Sequence, residues 1–170
     1  MKEISPEKAS MLAAPWPYAL VSSLDMNGRP NALGVSWVTR VSIEPFLILI
    51  SIAPERYSHD GIALHKEFVV NYPSAEQSKG AWICGSESGR KGDKLKKAGL
   101  TTVPSKKVKT PTISGSTVAF ECKVVQQVTS GDHTLFVGEV VEATGDESRT
   151  KHLFAASDWS LFPMGGKGTL

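Results

Sequence analysis

Three polar side chains follow directly after an apolar run in the segment APERYSH, namely Arg56, Ser58 and His59. Arg56 offers a planar fork of N–H donors, Ser58 offers a hydroxyl group, and a loop exposes backbone N–H groups. Donors of this kind bind a phosphate or a similar anion. A single loop arginine is more often merely solvated, so the interpretation depends on the SIxxxRxS context in which Arg56 stands.

The segment before this loop has the pattern of a surface for a flat ligand. If residues 31–39 form one strand, small or polar side chains occupy one face and large apolar side chains the other. The small face carries Ala32, Gly34, Ser36 and Val38, and the large face carries Leu33, Val35 and Trp37. Small side chains let a planar ligand approach the backbone. The same pattern suits a tight packing face, and Trp37 either stacks on a ligand or fills the core.

Three further polar side chains are candidates for a binding site. Lys94 in SGRKGDK either adds a positive charge to an anion site or belongs to the exposed face of a helix. His133 in GDHTLFVGEV either contacts a substrate or stands at the mouth of a hairpin whose turn is made by Gly131 and Asp132. His59 either donates to the anion or caps the helix that follows.

The composition excludes several classes of protein. The chain has 170 residues, of which 41% are hydrophobic and 21% charged, and its formal net charge is +2. These values are typical of one globular domain. The net charge is too small to indicate general nucleic-acid binding. We interpret the basic run at 106–109 as a solvated loop. No apolar run approaches the ~18 residues that cross a bilayer, and no signal-peptide pattern opens the sequence. We therefore predict a cytoplasmic protein without nucleic-acid or membrane partners.

The two cysteines also bear on the compartment. Neither Cys84 nor Cys122 has a paired cysteine or a histidine at metal-ligand spacing. We therefore interpret both cysteines as buried apolar thiols rather than as metal ligands or nucleophiles. We predict no metal site and a reducing environment.

Apolar runs and turn signals predict an antiparallel β fold. The predicted strands cover residues 18–24, 31–39, 46–52, 67–72, 116–128 and 133–143. Hairpin turns are expected at Asn27-Gly28 and at 129–132. Short helices are expected at 6–14, 59–66, 75–84 and 94–99, and a long polar loop at 101–115. This order predicts a mainly β protein with short peripheral helices, arranged as a closed or nearly closed six-stranded barrel.

Dinucleotide folds and the common hydrolases find no support, because GxGxxG after a strand, the P-loop, GxSxG and HExxH do not occur. The motifs that do occur are NALGVSW, SxxP at 42–45, the SI of LILISI, RYSH, EFVVNYP, SGRKGDK, the EC of FECKV and GDHTLFVGEV. In this order, over residues 18–143, they resemble the flavin reductase-like proteins with an FMN-binding split barrel, the group that includes flavoredoxin and short flavin reductases.

The resemblance implies a homodimeric split β-barrel of the six-stranded antiparallel Greek-key type, with one FMN per subunit near the subunit interface. Residues 1–170 then form one domain with a core at about 15–160. In this family the loop that carries Arg56 binds the flavin phosphate, and the GDH element of His133 is linked to nicotinamide binding. The implied cofactor-binding residues are Asn31, Ala32, Leu33, Ser36, Trp37, Val38, Thr39, Ser51, Ile52, Arg56, Tyr57, Ser58 and Lys94.

The implied function is that of an FMN flavoprotein that takes hydride from NAD(P)H and passes electrons to an acceptor, including a redox partner protein. The alternative is a non-enzymatic FMN carrier or flavin-storage protein that a partner reduces. Residues 16–36 depart from the reductases of two-component monooxygenases, because PWPYALVSS and NALGVSW replace their Arg-rich start and TGV segment. This departure favours tightly held FMN over exchangeable FAD.

A flavin-free small barrel that binds single-stranded nucleic acid is a third interpretation. It has little support, because such proteins expose aromatic side chains along a basic groove, whereas the aromatic residues here stand among apolar strand residues. The tail 164–170 is predicted to be flexible, since its glycines leave little to pack.

Overall fold

The computed structural model describes residues 2–165, so residues 166–170 of the predicted flexible tail lie outside the described range. The chain is mainly β. Its strands are β1 (Trp16–Pro17), β2 (Ala19–Leu24), β3 (Pro30–Val35), β4 (Val38–Ser42), β5 (Leu47–Ile52), β6 (Glu67–Tyr72), β7 (Thr102–Val103), β8 (Thr112–Ile113), β9 (Val118–Ser130), β10 (His133–Gly145), β11 (His152–Ala155) and β12 (Leu161–Met164).

The helices are short and lie where the sequence predicts them, within a few residues. They are α1 (Pro6–Leu12), α2 (Tyr57–His65), α3 (Ser78–Ser86) and α4 (Lys94–Ala98), with 3₁₀ turns at Ala75–Gln77 and Gly89–Lys91. Ser5 caps α1 through its side chain, as its position before Pro6 predicts. No helix within residues 2–165 has the length and apolarity needed to cross a bilayer.

Seven antiparallel strands form the main sheet, in the order β3-β2-β6-β9-β10-β5-β4. The two edge strands, β3 and β4, are neighbours in sequence and are joined only through Ser36 and Trp37. Three residue steps from Val35 to Val38 span at most about 11 Å, whereas seven flat strands extend over about 29 Å. The sheet must therefore curl until its two edges meet at this connection.

The prediction of a closed or nearly closed barrel is wrong in its number of strands, because the sheet has seven strands and not six. The segment 31–39 is not one strand, because the chain leaves β2 at Val35 and pairs with β5 from Val38 onward. At the break, the carbonyl of Trp37 still accepts the N–H of Ser51 at 3.0 Å. The break produces the seventh strand, and no strand ladder joins β3 to β4 in the described part of the chain.

Two apolar cores lie on opposite faces of the sheet. The first fills the inside of the curl and receives side chains from all seven strands and from α2, including Val21, Val38, Ile50, Phe68, Cys122 and Phe136. The second lies outside β2 and β3, where α3 and α4 cover it, and includes Tyr18, Leu20, Ala32, Cys84, Leu95 and Leu153. Alternation along β2 places Leu20 in one core and its neighbours Ala19 and Val21 in the other, as the two-residue period of a strand requires.

The predicted hairpins are present. The β2–β3 turn contains Gly28, whose φ of +77° is readily adopted only by glycine, and the N–H of Gly28 donates to the carbonyl of Asp25. The β9–β10 turn places Gly131 at φ +61°. Each of these two long strands has 13 residues; the half of the hairpin near the turn pairs with β5 through β10, and the other half pairs with β6 through β9.

The segment 101–115 is more ordered than the predicted polar loop, because β7 and β8 pair within it. One buried and one partly buried carboxylate on the sheet fix residues 106–110 between them. Glu121 of β9, 1% exposed, accepts the backbone N–H groups of Lys106 at 2.9 Å and Lys107 at 2.7 Å. Glu67 of β6 accepts the N–H of Thr110 at 2.6 Å. The basic run keeps its lysine side chains at the surface but turns Val108 into the interior.

The Glu121 carboxylate gives a direct test of this anchoring. Glu121→Gln keeps one acceptor oxygen but points an NH₂ group at a backbone N–H, and should destabilise the fold by about 1–3 kcal/mol in urea unfolding. Glu142→Gln is the control, since Glu142 meets only the exposed Lys106 Nζ at 3.7 Å and should cost about 0–1 kcal/mol. Equal losses in the two variants would contradict the anchoring role.

Candidate functional site

A cleft of ≈ 530 Å³ opens where the chain crosses from β3 to β4, and we call it the main cleft. Its walls come from β3 and its connection to β4, the end of β5 and the loop after it, the end of α3, the first residue of β10 and the turn before β12. It is lined by Tyr18, Leu33, Gly34, Val35, Ser36, Trp37, Ser51, Ile52, Ala53, Arg56, Trp82, Gly85, Ser86, His133 and Trp159. The cleft is concave and mostly apolar with a few polar groups, as ligand sites usually are.

Two glycines bring β3 and α3 into close approach on one wall of the main cleft. A Cβ at Gly34 would overlap the Tyr18 hydroxyl and would lie 2.8 Å from the Cα of Gly85. A Cβ at Gly85 would likewise overlap the Tyr18 hydroxyl. That hydroxyl donates to the carbonyl of Ala81 at 3.1 Å, and burial raises the pKa of Tyr18, so the phenol stays neutral. The two glycines thus let the backbones of β3 and α3 and the Tyr18 hydroxyl pack in direct contact on this wall.

Three half-exposed tryptophans, Trp37, Trp82 and Trp159, stand at the rim of the main cleft. The ring of His133 lies against Trp37, with centroids 4.6 Å apart and planes inclined by 41°. Its Nδ1 donates to Asp132 at 2.6 Å, because a carboxylate only accepts, and this bond lowers the pKa of Asp132. Asp132 thus fixes the orientation of the His133 ring, and Nε2 is the ring nitrogen that remains to contact a ligand.

A smaller cavity of ≈ 170 Å³ adjoins the main cleft, and we call it the anion cavity. The two share Leu33, Arg56, Gly85 and Ser86. The other lining residues of the anion cavity are Glu55, Tyr57, Ser58, Glu87, Ser88, Gly89, Arg90 and Lys94. Arg56 occupies the N-cap of α2 without a side-chain cap bond, and its exposed guanidinium makes one loose ion pair, from Nε to Glu55 at 3.9 Å. The first N–H groups of α2 have no partner inside the helix and carry partial positive charge.

Buried donors complete the anion cavity. Ser58 is 1% exposed and accepts from Asn31 Nδ2 at 2.7 Å, which leaves its own hydroxyl hydrogen to donate. Lys94 is 5% exposed, and its Nζ donates to the carbonyls of Cys84 at 2.9 Å and Glu87 at 3.0 Å. Burial lowers the pKa of Lys94. Within residues 2–165 no carboxylate forms a salt bridge with this ammonium, whose third N–H can meet an anion.

The beginning of α2 is held in place by the carboxylate of Asp25, whose side chain is 4% exposed. One oxygen accepts the backbone N–H groups of Asn27 at 2.8 Å and Arg29 at 2.9 Å. The other accepts Arg29 Nε and the Tyr57 hydroxyl, both at 2.8 Å. Burial alone would raise the pKa of Asp25, but these hydrogen bonds outweigh it and hold the pKa well below its usual range. Tyr57 is the first residue of α2, so the β2–β3 turn fixes the anion cavity.

Most of the residues predicted from the sequence line these two cavities. Leu33, Ser36, Trp37, Ser51, Ile52, Arg56 and His133 line the main cleft. Tyr57, Ser58 and Lys94 line the anion cavity, together with Leu33 and Arg56.

The other predicted residues have different positions. Asn31 donates a hydrogen bond to Ser58. Ala32 belongs to the core that α3 and α4 cover, and Val38 belongs to the core inside the curled sheet. Thr39 lines a separate shallow groove along β4. His59 lies in the first turn of α2, and its ring bonds to Asp60 and Thr134.

Sequence reasoning missed several lining residues of both cavities. Trp82, Gly85 and Trp159 line the main cleft, and Arg90 lines the anion cavity, where its Nη1 donates to the carbonyl of Glu55 at 2.9 Å. Trp82 and Gly85 belong to a short helix without a strong apolar stripe. The signal that could have identified them is the pair of glycines in GAWICGS, since glycines inside a helix mark close packing.

Comparison with known proteins gives the family to which a chain with this fold and these two cavities belongs. The model of the flavin reductase like domain matches residues 11–158, so the chain belongs to the flavin reductase-like family. The family resemblance drawn from the sequence motifs is confirmed.

Individual relatives add detail to this assignment. An uncharacterized protein of Pyrococcus abyssi is 43% identical over 140 residues, covering 78% of this chain and 80% of that protein. The NADH-dependent FAD reductase of Streptomyces globisporus is 28% identical over 153 residues, covering 79% of this chain and 73% of the relative. The structure of the flavoredoxin of Desulfovibrio vulgaris (Miyazaki F) matches with a TM-score of 0.87 at 27% identity, covering 100% of this chain and 97% of that one.

Asp25 should make stability depend on pH. Its pKa is lowered on folding, so its contribution is complete above the unfolded value of about 3.9 and is lost as pH falls through the folded value. Asp25→Asn should therefore lose about 1–3 kcal/mol at pH 7, and the difference from the parent protein should shrink at acid pH. Urea unfolding at pH 7 and at about pH 3 measures the loss of stability and its decrease at acid pH.

Tyr57→Phe provides a graded comparison, because it removes only one of the four donors to Asp25. It should cost less than Asp25→Asn and show the same trend with pH. A loss in Asp25→Asn that stays constant from pH 7 to pH 3 would rule out the ionised carboxylate as the cause.

Proposed function

We propose that this protein binds FMN and acts as an NAD(P)H-dependent flavin reductase of the flavoredoxin type, passing electrons to an acceptor. The observation that carries the proposal is the anion cavity, which shares lining residues with a larger and mostly apolar cleft. A flavin mononucleotide has the same division, with a planar ring system at one end and a phosphate at the other. Membership in the flavin reductase-like family supports this match.

The residues present fit this cofactor. Arg56, Ser58 and the first N–H groups of α2 would hold the phosphate, and the third N–H of the Lys94 ammonium would face it. The wall of Gly34 and Gly85 would lie along the ring. A bound flavin supplies the chemistry of accepting a hydride and releasing electrons singly or in pairs.

The side chains of this protein have the task of positioning the electron donor. His133 stands at the rim of the main cleft, where Asp132 fixes its ring and Nε2 is left to hydrogen-bond the carboxamide of a nicotinamide. The apolar rim formed by the tryptophans would exclude water from the site of transfer. We therefore assign His133 to donor binding rather than to proton transfer.

The proposal includes a homodimer with the flavin near its interface. Trp37 at the rim of the main cleft is 56% exposed, Val41 near the end of the edge strand β4 is 48% exposed, and Ile43 in the turn after β4 is 86% exposed. Exposed apolar side chains on an edge strand are normally covered, and a second copy would cover them beside the cleft. Both cysteines are free and buried, which suits a reducing compartment such as the cytoplasm.

The visible spectrum of the purified protein with FMN, followed by anaerobic NADH and then NADPH, tests the enzymatic function. We expect flavin absorption bands that one of the nucleotides bleaches. His133→Ala should keep the bands but slow the bleaching severalfold, because the donor loses its hydrogen-bond partner.

Other results would change the assignment. Bands that bleach only with dithionite would indicate an electron carrier or storage protein reduced by a partner. No bands after added FMN would refute flavin binding, and unchanged bleaching in His133→Ala would remove the role proposed for that side chain.

The phosphate contact has its own test. Arg56→Ala should weaken FMN binding by about 1.5–3 kcal/mol, because it removes a charged hydrogen bond. Flavin fluorescence during titration measures the dissociation constant. Arg40→Ala, which removes an arginine of β4 that lines a separate groove, is the control and should leave FMN binding unchanged. Equal FMN affinity in Arg56→Ala and the parent would refute the phosphate role.

A further inference from the structure

His59, in the first turn of α2, is bonded through its ring to the neighbouring strand β10. Its side chain is 12% exposed. Nδ1 lies 2.9 Å from a carboxylate oxygen of Asp60, and Nε2 lies 2.9 Å from the hydroxyl of Thr134. Because a carboxylate only accepts, Nδ1 carries a hydrogen, and in the neutral ring Nε2 then accepts the hydroxyl hydrogen of Thr134. This hydrogen bond joins the start of α2 to the start of β10.

One face of β10 holds the His59 ring in place. Thr134 and Phe136 are two residues apart on this strand, so their side chains lie on the same face. Thr134 is 4% exposed and Phe136 is fully buried. The His59 ring meets the Phe136 ring edge-on, with centroids 5.4 Å apart and planes inclined by 65°. Packing and the hydrogen bond therefore fix the ring from the same face of the sheet.

Thr134 contacts both ends of the segment that supplies Arg56 to the anion cavity. We call this segment, residues 53–58, the anion loop. Directly before it, Ile52 ends β5 and stands opposite Thr134 in the ladder with β10. Directly after it, His59 bonds to the Thr134 side chain. A short loop whose two ends are attached to one residue has few conformations left.

This attachment bears on the donors of the anion cavity. Ser58 is the neighbour of His59 in the chain, and Arg56 is the N-cap of the same helix. Donors that are already in place bind an anion at little cost in ordering. If His59 lost its bond to the sheet, the first turn of α2 could move and these donors would no longer converge. The wall made by Gly34 and Gly85 comes from other elements, so a planar group bound there should be little affected.

We propose that Thr134 is a positioning residue for the anion cavity, which acts through His59 so that the protein selects a phosphorylated flavin over riboflavin. The inference rests on the proposed function, because it takes the phosphate of FMN to lie in the anion cavity. The preceding residue, His133, lines the main cleft. The first two residues of β10 thus have separate tasks, one at the main cleft and one behind the anion loop.

Thr134→Val tests the assignment with two ligands, FMN and riboflavin, which share the ring system and differ in the phosphate. The variant removes the hydroxyl but keeps a β-branched residue suited to a strand, so the sheet should stay folded. Fluorescence titration should show FMN binding weakened about fivefold, because the anion loop loses one hydrogen bond, and riboflavin binding changed by less than about twofold. Thr134→Ser keeps the hydroxyl and should retain most of the FMN affinity.

Thr129→Val is the matched control. It makes the same replacement at the exposed residue that stands opposite Thr134 on β9, and it should change neither affinity. His59→Phe removes Nε2 and keeps a ring against Phe136, so it should reproduce the loss of FMN affinity. The double variant of Thr134→Val and His59→Phe should lose no more than the single variants, because both remove the same hydrogen bond. Additive losses would contradict action through His59.

Amide hydrogen exchange of the flavin-free protein separates this inference from the proposed function. Exchange at residues 56–60 should be faster in Thr134→Val and unchanged in Thr129→Val. Faster exchange in a protein whose parent binds no flavin would support the attachment of the anion loop and overturn the proposed function. Equal losses of FMN and riboflavin affinity in Thr134→Val, or no loss of either, would overturn the positioning role while leaving flavin binding intact. Unchanged exchange together with absence of flavin binding in the parent would overturn both proposals.

Discussion

The shape of this protein depends on the two residues that join β3 to β4. These strands are the opposite edges of a seven-stranded sheet, yet only Ser36 and Trp37 separate them. The connection forces the sheet to curl, encloses the inner core and leaves an opening where the chain crosses from one edge to the other. The main cleft is that opening, so the same covalent constraint sets both the fold and the place where a ligand can enter.

Charge is arranged around the anion cavity in two complementary ways. Asp25 is a buried anion saturated with donors, and it fixes the first residue of α2 through Tyr57. Lys94 is a buried cation with only neutral acceptors. The first arrangement rigidifies the cavity, whereas the second leaves a buried ammonium that forms no salt bridge within residues 2–165. Preorganised walls around such a cation suit an anion site, since binding then costs little reorganisation.

The sequence predicts a strand or a turn well where its local signals agree. It predicts less well where the end of a strand depends on which other strand it pairs with. Asn27-Gly28 and the apolar run 46–52 specify a hairpin and a strand without long-range information. The break at Ser36 and Trp37 has no local signal, because alternation continues through it and only the change of pairing from β2 to β5 ends the strand.

The same distinction applies to the two cavities. Arg56 and Ser58 follow a strand directly and could be predicted from their spacing, and the structure places both in the anion cavity. Trp82 and Trp159 could not, because distant elements bring them to the main cleft. The chain has four tryptophans: three line the main cleft, and Trp16 stacks on Trp159 at 5.4 Å. Every indole is therefore at or beside one cleft, and intrinsic fluorescence will report its occupancy without a label.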